Sequence, residues 1–174
     1  MIGKKMLEEM NEQVKYELYS AYLYLSMSAY FHSKGLDGMA QWMRVQAQEE
    51  LTHAAKFFDH INSRGGSVVL RAIDQPETKW DSPLAAFRHA YEHEQLVTSR
   101  INQLVGIAEE ESDRAAGVML QWFVTEQVEE EENASKVVRA LELVGDSGNG
   151  LLMLDRELGA RSFVMPTPAD TQEA

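Results

Sequence analysis

The stretch MAQWMRVQAQEELTHAAKFFDHI, residues 39–61, decides the fold. Met39, Met43, Ala54, Phe57 and Ile61 recur at helical spacing and mark one apolar stripe at about 100° per residue. Glu50 falls on that stripe, and His53 follows it by one turn. Three further segments repeat the anomaly. Glu17 lies among Met6, Met10, Val14, Ala21, Tyr24, Ser28 and Phe31, and Glu94 among Phe87, Ala90, Tyr91, Ile101 and Val105. Glu130 sits with Met119, Trp122, Phe123, Val137 and Leu141. Burying one ionised carboxylate costs several kcal/mol, so four together without compensation would unfold a domain of ordinary stability. The stripes carry no Lys or Arg, and the compensating charge is expected to be metal.

Composition bounds this reading. A chain of 174 residues makes one domain with a real core, and scarce, clustered Gly and Pro favour helix over strand. The absence of cysteine excludes disulfides, thiolate zinc sites, iron–sulfur clusters and thiol nucleophiles, and fits a reducing compartment. A net charge of −12 argues against nucleic-acid binding and for attraction of cations, although solubility alone accounts for such a charge. Met1-Ile2-Gly3-Lys4-Lys5 runs into an amphipathic pattern without an apolar signal core. The longest uncharged stretch, Leu18 to Phe31, is too short to span a bilayer. A soluble, cytoplasmic protein is expected, with no membrane partner.

Helical periodicity runs from Lys4 to His32 and, with Asp37 as N-cap, from Gly38 to Ser63. A third helix starts at Ser82-Pro83, Ser as cap and Pro in the first helical position, and ends near Glu110. Ser112 or Asp113 caps a fourth through Val144, and Asn149 a short fifth through Leu158. Residues 1–160 are expected to form the domain and 161–174 a flexible tail, frayed from Val164 onward. The first and third connections are short, so those helix pairs are antiparallel neighbours. The second, Gly65 to Asp81, has 17 residues. It can reach roughly 55 Å, enough to cross a bundle about 40 Å long and make the second and third helices parallel. Its Val68-Val69-Leu70 run is expected to pack against its own bundle or a second subunit. This topology puts Glu17, Glu50, Glu94 and Glu130 at one height.

Glu50-x-x-His53 alone is a weak signal, since roughly 0.6 such pairs arise by chance from this composition. Its company makes it specific: lone inward carboxylates on neighbouring helices at one level are the arrangement of di-iron carboxylate bundles. The run Glu129 to Glu132 is divided by helical geometry. Glu126, Gln127, Glu129 and Glu130 share the core-facing arc, while Glu131 and Glu132 are expected to be solvated. With Glu49 at the edge of its stripe, Glu126, Glu129 and Glu130 form a second acidic cluster. Two divalent ions match the charge of the four inner acids, and ligation by carboxylates and one imidazole suits iron or manganese, with zinc able to compete. Tyr24, nearly eclipsed with Glu17, can reach the site, and packing is the expected role of Trp122.

At these residues the chain resembles the non-haem bacterial ferritins over nearly its whole length. The resemblance implies a ferritin-like four-helix bundle with one long crossover and a short fifth helix. Glu17, Glu50 and His53 match the family's first iron site. Glu50, Glu94 and Glu130, with Gln127 nearby, match the second. Glu49, Glu126, Glu129 and Glu130 match the third. Tyr24 and Trp122 also fall where the family has them, Tyr24 joining Glu17, Glu50, His53, Glu94 and Glu130 as a catalytic candidate. Haem-carrying relatives place a methionine where this chain has Leu51, so no haem is expected. Animal ferritins line an iron channel with acids where this chain has Gly117 and Leu120.

The resemblance implies a ferroxidase that binds two Fe(II) per subunit, oxidises them with dioxygen or hydrogen peroxide, and stores ferric mineral in a cage of 24 subunits. The fifth helix, too short and apolar to stand alone, is expected to bury its face against symmetry mates or against its own bundle. Two rival readings use the same bundle: a di-metal oxidase or oxygenase acting on an organic substrate, and a structural bundle whose inward acids are protonated or wet.

Overall fold

The computed structural model describes residues 1–164 and contains five helices. They are α1 (Lys4–Ser33), α2 (Asp37–Ser63), α3 (Pro83–Glu110), α4 (Arg114–Val144) and α5 (Gly148–Leu158). Ser82 and Asp113 cap α3 and α4 through their side chains, accepting from the amides of Ala85 and Ala116. Two expected caps differ. Asp37 is the first residue of α2 rather than its cap, because its carboxylate pairs with His32 Nδ1 at 2.8 Å. Ser147, not Asn149, caps α5 by accepting from Gly150 N. The expected fraying beyond Val164 falls on residues outside the described ones.

The crossover, residues 64–82, forms no regular element and is held along α1. Asn11 donates to Ser67 O and accepts from Val69 N, Arg71 pairs with Glu12, and Ser26 donates to Glu77 O. Trp80 then meets Tyr30 edge-on near the far end of α1. The linker thus climbs the bundle and delivers α3 parallel to α2. Val68 packs on the bundle, whereas Val69 and Leu70 are exposed in the single chain.

Two apolar clusters fill the interior, one at each end. The four inward glutamates separate them. On α1, Glu17 lies between Val14 of one cluster and Leu23 of the other; on α3, Glu94 lies between Val97 and Ala90. Glu50 and Glu130 divide α2 and α4 in the same way. The carboxylates therefore form one polar layer between two dry ones.

α5 docks on the start of α2. Leu154 and Leu158 enter the apolar cluster that contains Phe31 and Phe87, and Asp155 Oδ1 accepts from Met39 N at 2.8 Å, satisfying an amide that α2 leaves free. The backbones meet at two glycines. A Cβ on Gly38 would stand 1.7 Å from Asp155 O, and one on Gly159 would stand 3.0 Å from Gly38 Cα. Of the two expected burial modes for α5, the single chain shows packing on its own bundle. Leu152 and Met153 point away from it and are exposed.

Candidate metal centre

Each inner carboxylate is at most 3% exposed, as is His53. Long helices fixed at both ends by apolar clusters hold these side chains at their midpoints, where the backbone frays least. Among the described residues, no Lys or Arg is hydrogen-bonded or ion-paired to the four. Neutral donors hold them. Gln13 Nε2 donates to Glu17 Oε1 at 2.8 Å, and Gln46 Nε2 to Glu130 Oε2 at 2.8 Å. Tyr24 Oη donates to Glu94 Oε1, and Gln127 Nε2 lies 3.4 Å from Glu94 Oε2. Glu17 Oε2 and Glu50 Oε2 are buried and, among the described residues, accept no hydrogen bond. Unpaired buried carboxylate oxygens are expensive, and an amide that fixes one oxygen leaves its twin aimed and free.

Glu17, Glu50 and His53 can place one ligand atom each within 4.8 Å of the others, as can His53, Glu126 and Glu130. His53 Nδ1 stands 3.4 Å from Glu50 Oε2, its Nε2 3.9 Å from Glu126 Oε1, and its ring packs edge-on against Trp122 and Phe123. Carboxylate oxygens with one imidazole nitrogen form a hard donor set that fits Fe(II).

The electrostatics agree. Burial pushes the Glu50 carboxyl well above its usual range, with the charges of Glu94, Glu17 and Glu130 adding to it. Burial and the Glu130 charge push Glu94 up to about 8, although the bonds from Tyr24 and Gln127 pull the other way. Desolvation, and then Glu94, raises the Tyr24 phenol too, so it remains a donor at neutral pH.

The outer acids are arranged differently. Glu49 and Glu126 are half-buried, and burial raises each to about 7. Arg161 Nη2 donates to Glu49 Oε2 at 2.6 Å, and Lys56 lowers the Glu126 carboxyl against its burial. Both cations rest on indoles, the Lys56 ammonium 4.0 Å from the Trp122 ring centre and the Arg161 guanidinium 4.6 Å from that of Trp42. Glu129, expected on the core-facing arc, is exposed instead, though its charge reaches Glu126. Glu131, expected in solvent, is half-buried and accepts from Thr98 Oγ1 at 2.6 Å. Thr98 also accepts from Gln127, so Glu131 ends a chain that steadies Gln127 beside Glu94. Arc arithmetic misplaced both because it ignores which neighbouring helix each side chain meets.

Gln13, Gln46 and Arg161 escaped the sequence reading. The glutamines had a faint signal, each lying four residues before an inward Glu. Arg161 had none, since it follows the last helix.

Comparison with known proteins agrees with this geometry. The ferritin-like domain family matches residues 7–144. A bacterial non-heme ferritin of Bacteroides fragilis is 43% identical over 161 residues, covering 92% of this chain and all of that one. A probable bacterial non-heme ferritin-like protein of Haemophilus influenzae is 40% identical over 159 residues, covering 91% of this chain and 96% of the relative. A solved structure of Archaeoglobus fulgidus ferritin, engineered into a closed form, superposes with a TM-score of 0.93 at 54% identity, covering 94% of this chain and all of that one. A bundle divided at mid-height by buried carboxylates, with these relatives along nearly its full length, belongs to the ferritin family.

Proposed function

We propose that the protein stores iron, oxidising Fe(II) at the inner carboxylate layer and retaining the ferric product inside an oligomeric shell. The observation that carries this reading is the pair of buried oxygens, Glu17 Oε2 and Glu50 Oε2, that accept no hydrogen bond among the described residues, in a layer to which no described Lys or Arg is bonded. Fe(II) is the substrate. Glu17, Glu50 and His53 would take one ion, and Glu50, Glu94 and Glu130, with Gln127 adjacent, a second. Two ions supply the positive charge that four carboxylates require and displace the protons retained by Glu50 and Glu94. Each Fe(II) gives up one electron; the pair with two protons reduces dioxygen to hydrogen peroxide, or peroxide to water. The Tyr24 phenol holds Glu94 in position through its hydrogen bond.

The acids Glu49, Glu126 and Glu129 would form, with Glu130, a weaker third position that receives or passes on iron. Assembly into a shell, 24 subunits by family likeness, would cover the apolar side chains that the single chain exposes, among them Leu70, Leu152 and Met153. Among the described residues no helix is long and apolar enough to cross a membrane. An organic substrate would need a cavity that reaches the carboxylates. The cleft between α3 and α4 reaches Gln127, Thr98 and Glu131 but is lined by none of the four inner acids.

Mixing anaerobic protein with Fe(II) and admitting air should give rapid ferric absorbance. The combined variant Glu50→Ala, His53→Ala should lose that phase by about a hundredfold or more. Parental rates in that variant would overturn the assignment. Light scattering checks the shell, since a monomer or dimer of a 19.7 kDa chain could not enclose mineral.

A further inference from the structure

Arg161 belongs to none of the metal positions above, yet contacts with Gln41, Trp42 and Glu49 fix its placement. The Gly38–Gly159 contact and the Asp155 bond to Met39 N fix the end of α5 against the start of α2. Two residues beyond Gly159, the Arg161 carbonyl accepts from Gln41 Nε2 at 3.4 Å. Its guanidinium lies over Trp42, and Nη2 reaches Glu49. Trp42 and Glu49 are seven residues apart on α2, two turns along one face. The arginine therefore lies along α2, with its charge at the outer acids.

Its bonding does not maximise stability. The contact with Glu49 uses one nitrogen rather than the two-pronged fork that gives Arg–carboxylate pairs their strength. Nη1 is buried and has no acceptor among the described residues. A one-pronged pair with an orphaned donor is one whose carboxylate can be drawn away. The stacked indole would retain the guanidinium once it lets go.

We propose that Arg161 is a tethered counter-cation for the outer acids, holding Glu49 until a third metal ion takes it and competing with that ion for it. This rests on the reading of Glu49, Glu126, Glu129 and Glu130 as a third cation position. Arg161 acts through Glu49 and is a positioning residue. It keeps the outer position weaker than the inner pair, so an ion reaching Glu49 is exchanged rather than kept. Lys56, parked on Trp122 beside Glu126, presents a second cation to the same cluster from α2.

The test is anaerobic calorimetric titration of the assembled, full-length protein with Zn(II), a probe without redox chemistry, followed by Fe(II). Arg161→Met keeps the stem over Trp42 and removes the charge. It should tighten the third ion about three- to tenfold and leave the first two unchanged. Arg161→Lys, which keeps a charge but loses the planar contact, should fall between parent and Arg161→Met. In a Glu49→Gln background, Arg161→Met should alter nothing. Circular dichroism and light scattering establish that α5 remains docked and the assembly intact; should Arg161→Met undock α5, the Lys variant decides. If the parent binds a third ion that Glu49→Gln weakens, while neither Arg161 variant changes it, this proposal falls and the third position stands. If parent and variants alike bind only two ions, both fall together.

Discussion

The inner and outer acids of this bundle lie within one side chain of each other and have their charge answered in opposite ways. Glu17, Glu94 and Glu130 are held by neutral groups, the amides of Gln13, Gln127 and Gln46 and the phenol of Tyr24. Glu49 and Glu126 face cations, Arg161 and Lys56, each parked on an indole. Neutral donors orient a carboxylate without discharging it, so the inner layer still lacks a cation. Tethered cations discharge a carboxylate and then compete for it. A site meant to bind tightly uses the first device; a site meant to exchange uses the second.

The contrast breaks most completely if an inner charge is removed. Glu50→Leu should abolish the fast oxidation phase, a loss of about a hundredfold or more, and still raise the melting temperature of the metal-free protein. Stopped-flow absorbance and differential scanning calorimetry read the two effects. A destabilised metal-free variant would mean that the inner layer is not short of positive charge. Removing an orienting amide should cost less. Gln46→Leu leaves every charge in place but frees Glu130 Oε2, and should weaken binding of the inner pair about ten- to a hundredfold in a Zn(II) titration.

The same contrast governs pH. Glu94, raised from 4.5 to about 8, favours the folded state while protonated. Its contribution is complete below about 4.5 and disappears as pH rises through about 8, and Glu50 is shifted in the same direction. The metal-free protein should therefore lose several degrees of melting temperature between about pH 5 and pH 8. Zn(II)-loaded protein should lose much less, and Zn(II) binding near neutral pH should release at least one proton per subunit, measurable by calorimetry in buffers of different ionisation enthalpy. The smallest effect belongs to the outer ring. Lys56→Met should change later iron turnover by about threefold at most and leave the first phase alone, because its charge is partly exposed and acts on Glu126 of the outer acids.

How much of this was legible in the sequence follows from the range of each interaction. Helix extents, the Ser82 cap and the level at which the inner acids meet depend on periodicity, cap chemistry and loop length, and these are local; on sequence alone the choice of Asp113 over Ser112 stays open. The placement of Glu129 and Glu131 depends on which helix lies across from them. Thr98 of α3 drew Glu131 inward; among the described residues nothing comparable holds Glu129. Ser147 and Asn149 are both competent caps two residues apart, and local chemistry does not choose between them. Gln46 illustrates the limit best. Its spacing from Glu50 suggests a bond along its own helix, yet it crosses to Glu130 on α4. Arg161 and Asp155 owe their roles to the docking of α5, which no pattern within the fifth helix encodes.

The long linker along α1 makes the chain two hairpins, α1–α2 and α3–α4, joined by a strap. Each hairpin carries half of the inner layer: Glu17, Glu50 and His53 on the first, Glu94 and Glu130 on the second. A chain nicked near Asp74, where the strap is exposed and the described residues show no side-chain bond, becomes a split protein with complementary fragments. Bringing the halves together without metal brings four acids together. With a divalent ion, the centre becomes the clasp, and reassembly of the two fragments reports directly on the occupancy of the inner site.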